Sequence, residues 1–576
     1  SLVLIPSGTK TGKVFSQKPV SGDGDFTFTR ASAATRVNAD GNIEKERGNV
    51  LLQSNSFSTT WIDVSTNKTS GQSGYDGSND AWLLSKTNAS ARLYQNITYS
   101  GVNTFSVYVK AGTLNWVMLN NGTNSVWYDL QNGVVGTNSA GGGSLDASIE
   151  SVGSGWYRVI LVSSVSASLI RIYPAKGDND VSGTSGNIYI QDAQIEQGLV
   201  ARDYIETTTA AVYGGITDNT PRLDYTDSSC PALLLEPQRT NTITASEYFD
   251  GSNLTNSSIS AEYNTADTLS PEGIYNAAKL TAAGTFPRYY DFPSIGDNVN
   301  VTMSCFAKAG DANKFALTGY NKNSETASVF FDLLDGTAAL ASYDDLSPSY
   351  DIEDYGNGWY RCWISWSSGS GAVSFGIRPF NHAQGQTGGW SGSNYIYAYG
   401  AQLEQDATYA TSYIPTYGSS VSRVQDEADA FNAGDLITDN EGVLFVEFDF
   451  AKQDVSQTIC LNNNNPSNRI GFWTPATADL HIFATSGGTS QFSTDTGFNL
   501  VDGETYKVAV KWTNNIVTAF ANGNLIFTSS TITNPVNLYV ASMNNSTTTF
   551  WDSPVKQYMV FPTALTDQEA IDLTTI

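Results

Sequence analysis

Ile149-Glu-Ser-Val-Gly-Ser-Gly-Trp-Tyr-Arg158 and Ile352-Glu-Asp-Tyr-Gly-Asn-Gly-Trp-Tyr-Arg361 are two versions of one motif. Three further blocks recur in the same order around them: Ser106–Gly112 with Ser304–Gly310, Val126–Gly133 with Val329–Gly336, and Ala193–Gln197 with Tyr204-Ile205, which match Ala401–Gln405 with Tyr413-Ile414. The offset between the copies grows only from 198 residues (106 to 304) to 209 residues (204 to 413). Blocks that match in the same order at a nearly constant offset indicate an internal duplication.

The repeated blocks alternate as half-buried strands do. Phe105, Val107 and Val109 share one predicted face of their strand, and the second copy places Met303, Cys305 and Ala307 there. Gly, Asn and Asp turns separate such strands, with no helical periodicity between them. The pattern therefore predicts an all-β chain with two antiparallel, jelly-roll-like sandwiches.

Two of the four cysteines take core positions in this alignment. Cys305 replaces Val107 and Cys362 replaces Val159, so both are interpreted as small core hydrophobes, with a disulfide between them as the alternative. Four cysteines in 576 residues do not make a disulfide framework.

The duplication and the changes in composition divide the chain into six segments. They are residues 1–48 (N-terminal arm or anchor), 49–207 (copy 1), 208–236 (connector), 237–418 (copy 2), 419–435 (connector) and 436–576 (a different β-sandwich). The extended arm is predicted to pack on a neighbour or to anchor the protein, and the alternative is a strand that completes the first sandwich. In the last segment Asn522-Gly523 predicts a tight hairpin turn, and Thr566 predicts the N-cap of a short terminal helix.

The charge balance excludes some classes of partner. The chain has 30 basic and 56 acidic residues, a formal net charge of -26, which disfavours nucleic acid and anionic membranes. No run of apolar residues is long enough for membrane insertion, and no basic-then-apolar leader opens the sequence. We therefore expect synthesis in a host cytoplasm without a signal peptide, and a virus particle released by lysis is one route out.

Several motifs resemble known families. The two copies are similar to the carbohydrate-binding-module-like sandwiches of phage tail- and head-fibre proteins. The motifs that carry this resemblance are the Lys-Ala-Gly strands, Gly356–Arg361, Ala401–Glu404, Tyr409–Pro415, Leu233–Asn241 and Thr29–Arg36. Residues 436–576 resemble a concanavalin/laminin-G-type lectin sandwich. Copy 1 departs from the pattern because its closing segment, Val200–Glu206, lacks the Tyr-Ile-Pro ending.

The resemblance implies a virion fibre or spike that binds host or environmental glycans. It implies a homotrimer, attached to other virion proteins through the N-terminal arm. It implies no cofactor, although related sandwiches often hold a structural calcium ion.

A search for catalytic residues identifies none. The two histidines, His382 and His481, lie in different segments, so no paired-histidine mechanism or His-rich metal site is expected. The closest approach to a glucanase motif is Glu447-Phe-Asp449, where Lys452 replaces the acid/base glutamate.

Five charged positions recur in both copies: Lys110, Asp129, Glu150, Arg158 and Glu196, matched by Lys308, Asp332, Glu353, Arg361 and Glu404. They are interpreted as scaffold ion pairs and turn caps, with sugar or calcium ligands as the alternative.

Glycan sites pair an exposed aromatic platform with polar groups, because the C–H faces of sugars stack on rings. The candidate platforms are aromatics that do not recur between the copies, together with two tryptophans of the last segment. They are Trp390, Tyr320, Trp363 and Phe380 in copy 2, Trp116 and Tyr173 in copy 1, and Trp473 and Trp551 in residues 436–576.

The sequence thus favours a non-enzymatic virion protein that displays glycan-binding sandwiches. The alternatives are a capsid- or tail-decorating protein that binds no sugar, and a glycan hydrolase or secreted carbohydrate-binding protein.

Overall fold

The protein is described from a computed structural model of the chain. The structure describes residues 1–139, 144–249, 255–283, 288–291, 295–321, 323–369, 374–380, 394–453, 455–544 and 549–576. The described residues form antiparallel β-sheets with short turns, one 3-10 turn at Gly434–Leu436 and one α-helix. The all-β sandwich prediction is confirmed.

The strands that precede copy 1 are short: β1 (Leu2–Leu4), β2 (Thr9–Lys10), β3 (Lys13–Val14), β4 (Phe26–Thr29), β5 (Thr35–Val37), β6 (Ile43–Lys45) and β7 (Arg47–Asn49). Copy 1 contains β8 (Ile62–Val64), β9 (Thr66–Gln72), β10 (Ala81–Lys86), β11 (Arg92–Tyr99), β12 (Asn103–Ala111), β13 (Trp116–Asn120), β14 (Ser125–Asp129), β15 (Val134–Ser139), β16 (Ser144–Gly153), β17 (Trp156–Ser163), β18 (Ala167–Ala175) and β19 (Gly186–Gln197).

The connector and copy 2 follow. They contain β20 (Val212–Gly214), β21 (Leu223–Asp224), β22 (Ala232–Leu233), β23 (Arg239–Asn241), β24 (Thr255–Ser257), β25 (Ile259–Glu262), β26 (Ala278–Ala282), β27 (Arg288–Asp291), β28 (Asn300–Ala309), β29 (Lys314–Tyr320), β30 (Thr326–Asp332), β31 (Thr337–Leu340), β32 (Ser349–Asp354), β33 (Trp359–Ser367), β34 (Ser374–Phe380) and β35 (Tyr395–Gln405).

The remaining elements are β36 (Val421–Arg423), β37 (Glu427–Ala430), β38 (Glu441–Asp449), β39 (Gln457–Asn462), β40 (Arg469–Thr474), β41 (Asp479–Ser486), β42 (Thr489–Asn499), β43 (Thr505–Thr513), β44 (Ile516–Ala521), β45 (Asn524–Thr528), β46 (Val540–Ser542), β47 (Val555–Phe561) and helix α1 (Asp567–Thr574). Thr566 caps α1 and forms a capping box with Glu569, as predicted. Asn522 and Gly523 both have positive φ in the β44–β45 turn, which fits the predicted hairpin chemistry.

The two copies have the same strand order. Copy 1 packs the sheet β16-β17-β12-β19-β10-β9 on the sheet β15-β14-β13-β18-β11-β8. Copy 2 repeats both as β32-β33-β28-β35-β26-β25 and β31-β30-β29-β34-β27-β24. Val107 lies opposite Val159, and Cys305 opposite Cys362, at equivalent registers. Both thiols are free and fully buried in the core of copy 2, and burial raises the pKa of Cys305 to about 12.

Residues 1–29 form neither the predicted extended arm nor a strand of the first sandwich. Strand β1 pairs with β47, with Leu2 opposite Val560, and β4 pairs with β37, with Phe28 opposite Ala428. Leu2, Leu4, Val14, Phe26 and Phe28 are fully buried in the core of the last sandwich. Apolar strand faces need a partner sheet, and this one lies at the other end of the chain.

The connector also contributes to this sandwich. One sheet is β21-β22-β47-β38-β43-β44-β45 with β1 beside β47, and the other is β2-β3-β4-β37-β46-β39-β40-β41-β42. We call this unit, which is built from residues 1–29, 223–233 and 427–576, the terminal sandwich. Both copies are therefore inserted between its strands.

Two buried clusters of charge hold the units together. In the Asp426 network, which consists of Arg30, Arg222, Glu236, Arg423 and Asp426, Arg30 lies 3.2 Å from Asp426 and Arg222 lies 2.6 Å from Glu236. In the Lys45 network, Lys45 lies 2.5 Å from Glu247 and 2.6 Å from Glu272, which also binds Arg202. Since these residues come from the N-terminal segment, the connectors and both copies, the networks fix the arrangement of the copies.

No helix among the described residues is both long and apolar enough to cross a membrane.

Candidate functional site

The terminal sandwich has an open groove on the outer face of its larger sheet. The cavity has a volume of about 310 Å³, and its lining includes Thr458, Arg469, Trp473, Phe483, Ser490 and Ser493. We call it the Trp473 groove. It lies over β39 to β42, where inward residues such as Ile470, Phe472 and Ile482 are fully buried in the core. Strand alternation therefore places the lining residues on the opposite face.

A straight row of side chains crosses this face. Thr458 lies opposite Trp473, Trp473 opposite His481, and His481 opposite Asp495. The rings of Trp473 and His481 lie 4.3 Å apart between centroids at 32°. The Trp473 indole Nε1 donates a hydrogen bond to Ser493 Oγ at 3.1 Å. This contact and the imidazole hold the half-buried indole in one orientation.

Hydroxyl and cationic groups surround the indole. The guanidinium group of Arg469 lies over the Phe483 ring, 5.4 Å from its centroid. Phe483 pairs with Gly471, which lies two residues after Arg469 on β40. Thr458, Thr485, Ser490 and Ser493 supply hydroxyls along the groove. An aromatic ring beside several hydroxyl groups is the combination that holds a sugar, since the ring stacks on C–H groups and the hydroxyls exchange hydrogen bonds.

The predicted aromatic platforms differ in exposure, and some of them are buried in the core. Trp473 lines the groove, whereas Trp551 is fully buried and packs edge-on against Phe448 and Phe472. Trp551 is therefore a core residue and cannot act as a platform. Tyr173 is 8% exposed within a cluster with Met118 and Trp127, so the prediction for Tyr173 also fails.

Among the other candidates, the three side chains that the structure describes, Trp116, Trp363 and Tyr320, lie on different strands. Trp116 is half-buried against the Tyr173 cluster of copy 1. Trp363 donates its Nε1 hydrogen to Glu353 at 2.9 Å, and half-buried Tyr320 ends β29. Phe380 lies at the end of β34, but its side chain is outside the described part of the structure, and Trp390 lies outside the described residues altogether.

The recurring charged residues mostly serve the scaffold. Asp129 accepts hydrogen bonds from the backbone of Gln131 and Asn132, and Asp332 accepts one from Leu334. Arg158 donates to Ser106 Oγ and to the carbonyl of Arg202, and Arg361 makes the equivalent contacts to Ser304 and Thr411. These contacts support the interpretation as turn caps and buried ties rather than as ligands of calcium or sugar.

A second cleft lies between copy 1 and copy 2, and no sequence pattern predicts it. Its volume is about 380 Å³, and its lining includes Glu46, Arg47, Tyr99, Gln197, Tyr213 and Tyr417. Burial, with a contribution from Asp218, raises the pKa of the Glu46 carboxyl. The Gly101 Cα approaches the Tyr417 carbonyl so closely that a Cβ would meet it, and the Val102 amide donates to that carbonyl at 2.7 Å. Residues from five of the six segments form this cleft, so only the folded arrangement reveals it.

The partial glucanase motif does not form a carboxylate pair in a groove. Asp449 pairs with Lys556 at 2.6 Å and accepts a hydrogen bond from Thr505. Lys452 donates its backbone hydrogen to Asp502.

Neither a protein-family model nor a curated protein sequence matches the chain. The structure is similar to solved carbohydrate-binding modules and laminin-G domains. The CBM40 of the Ruminococcus gnavus IT-sialidase, bound to alpha2,3-sialyllactose, is 16% identical with a TM-score of 0.22, covering 25% of this chain and 88% of that one. The CBM22-1–CBM22-2 tandem of Paenibacillus barcinonensis Xyn10C is 10% identical with a TM-score of 0.18, covering 60% and 93%.

Domains LG4-5 of the mouse laminin alpha1 chain are 11% identical, with a TM-score of 0.17, covering 47% of this chain and 88% of that one. At these TM-scores the similarity carries no conclusion about function. The sandwich fold rests on the strand pairing described above.

Proposed function

We propose that this chain is a non-enzymatic glycan-binding protein whose Trp473 groove takes a saccharide. The observation that carries the proposal is the half-buried Trp473 indole, which a hydrogen bond fixes in an open groove beside hydroxyl groups and Arg469. The groove is about 310 Å³ in volume, enough for a short oligosaccharide segment at the lower end of common ligand sites. The overall negative charge favours neutral sugars over acidic ones.

A glycan array followed by calorimetry tests this proposal. The intact chain is expected to bind at least one class of neutral glycan, and Trp473→Ala should weaken that binding roughly 10-fold through the lost stacking. Trp116→Ala is the matched control, since Trp116 is also half-buried but lies on copy 1, away from the groove. An array without hits, or equal affinity in Trp473→Ala and the parent, would contradict the proposal.

The biological setting that we propose is a phage virion, in which trimers of the chain act as a fibre or spike. The support is the sequence resemblance of the two copies to fibre sandwiches, and the avidity that several weak sugar sites on one particle would gain. Strands of residues 1–29 pair within the terminal sandwich, so these residues do not supply a free arm for attachment to other virion proteins. Light scattering after size-exclusion chromatography should give a molar mass of three chains for the purified protein. A monomer at micromolar concentration would count against the fibre.

A capsid- or tail-decorating role without sugar binding is the alternative that a negative array would favour. If the protein released reducing ends from a host polysaccharide, the result would instead favour the alternative that it is a glycan hydrolase.

A further inference from the structure

Three metal-ligating side chains meet at one end of the Trp473 groove. Asp479 and His481 lie two residues apart on β41, and Asp495 lies opposite His481 on β42. One ligand atom from each residue, a carboxylate oxygen or an imidazole nitrogen, lies within 4.8 Å of the other two. Zinc bonds to nitrogen and oxygen are about 2.0–2.2 Å long, so donor atoms on one ion lie at most about 4.4 Å apart. Small rotations of these side chains would bring the three atoms onto one ion.

An irregularity in strand pairing creates this arrangement. The pairing passes from Asp479 opposite Asn499 to His481 opposite Asp495, so β42 uses two more residues than β41 over this stretch. Gly497, at φ +73°, accommodates the bulge. Bulges redirect neighbouring side chains, and here the bulge lies directly beside the cluster.

Neighbouring groups hold the three side chains in place. Thr477 Oγ1 donates to Asp479 Oδ2 at 2.7 Å, and the Gly497 amide donates to Asp495 Oδ1 at 2.8 Å. Each carboxylate therefore keeps a second oxygen for a ligand, and the Trp473 ring packs against the imidazole. Metal sites commonly show such outer contacts, which orient the ligating groups.

The two carboxylates have no cationic partner in the part of the chain that the structure describes: no Lys or Arg nitrogen there lies within 4.0 Å of either one. Like charges at this distance repel, and the net charge of the chain adds to that potential. A bound cation would relieve the repulsion.

We propose that Asp479, His481 and Asp495 bind one divalent transition-metal ion of the zinc class. Mixed imidazole and carboxylate donors suit zinc, cobalt or nickel, whereas calcium and magnesium prefer oxygen ligands alone. Three protein ligands leave at least one coordination position for water or for a hydroxyl group of a ligand in the groove. Metal binding does not depend on the proposed saccharide binding, because all three ligands come from the protein.

Isothermal titration of the full chain with ZnCl2, after chelator treatment and without sugar, tests the site. One saturable equivalent per chain is expected, and it should be lost in both His481→Ala and Asp495→Asn. His382→Ala removes the chain's other histidine and Asp435→Asn removes an exposed carboxylate of the same unit, so both controls should keep the equivalent. Circular dichroism confirms folding of each variant. The absence of a saturable equivalent, or the same zinc affinity in His481→Ala and the parent, would overturn the proposal.

Tryptophan fluorescence gives a second readout. Titration with NiCl2 should quench part of the emission and saturate at one equivalent, because Trp473 packs against the ligating imidazole. In Trp473→Phe that quenching should be lost while calorimetry still records the bound ion. If zinc binds but the glycan array is negative, the metal site is supported and the saccharide proposal is refuted.

Discussion

Trp473 and Trp551 belong to the same sandwich but lie in opposite environments. Trp473 lines a groove on the outer face of β40, whereas Trp551 is fully buried between Phe448 and Phe472. Trp551 follows a stretch of sequence rich in Asn, Ser and Thr, and its sequence neighbours gave no sign that the chain returns to the core there. Burial of a single residue in a loop depends on tertiary contacts, which periodicity does not report.

The candidate metal ligands show the same limit. Asp479-Leu-His481 places two ligands on one strand face, and this spacing was a usable signal in the sequence. The third ligand, Asp495, depends on the register of the next strand and on a bulge that the sequence does not specify. Counting histidines argues against a His-rich site, but it does not test a site with mixed imidazole and carboxylate ligands.

Asp192 in copy 1 gives a prediction for pH dependence. Burial, reinforced by Asp80 and Asp76 and opposed by a hydrogen bond from Tyr75, raises the pKa of Asp192 to about 7. The folded state thus holds this proton more tightly than the unfolded state, whose pKa is near 3.8. Stability from this proton is present below pH 3.8 and is lost as the pH rises through about 7.

Asp192→Asn should therefore remove a loss of roughly 2 kcal/mol between pH 5 and pH 8. The melting temperature, measured by calorimetry at several pH values across that range, should fall less steeply with pH for the variant than for the parent. Asp63→Asn, at a more exposed carboxylate of the same copy, serves as the control. Parallel curves for the parent and Asp192→Asn would contradict the assignment.

At the scale of elements, alternation predicted the strands of both copies, and Asn522-Gly523 predicted the β44–β45 hairpin of the terminal sandwich. The first strands were not assigned to the right sheet, because β1 to β4 have only two to four residues each and their partners lie at the far end of the chain. Periodicity identifies a strand face, but it does not say which sheet covers that face. The placement of residues 1–29 therefore required the structure.

Phe28 on β4 tests that placement. Phe28→Ala should cost about 3–5 kcal/mol, because it leaves a cavity in the core of the terminal sandwich. Hydrogen exchange of β37, the strand beside β4, should become faster. Phe15→Ala is the matched control at a side chain that is 36% exposed, and it should change stability by less than about 1 kcal/mol. Equal effects of the two substitutions would argue against a buried β4.

At the scale of the whole molecule, buried charges set the arrangement of the units. The Asp426 network holds three arginines and two carboxylates away from solvent. Burial and the neighbouring Arg222 lower the pKa of Arg30 to about 10, and Asp426 opposes that change. The sequence showed Arg30 and Asp426 only as separate charges, because they are 396 positions apart.

Asp426→Asn should destabilise the protein by about 3 kcal/mol or more, since it leaves buried Arg30 without its counter-charge and leaves Arg222 paired with Glu236 alone. Proteolysis should then cut the connectors faster, because they lose their anchor in the network. Asp63→Asn breaks a partly exposed pair with Lys68 and should cost no more than about 1 kcal/mol. A fully cooperative melt at the parental temperature in Asp426→Asn would show that other contacts hold the units.

The closure of the terminal sandwich by both ends of the chain has a consequence for the timing of synthesis. Phe28 and its neighbour Ala428 lie 400 positions apart (428 minus 28), so a ribosome making 5–20 residues per second separates them by roughly 20–80 s. Both copies can fold within that interval, while β1 to β4 wait with open edges and exposed apolar faces. Strands β1 to β4 thus leave the ribosome long before their partner strands and are among the last to pair. We expect nascent chains to need protection from aggregation at these strands until β37 and β47 emerge.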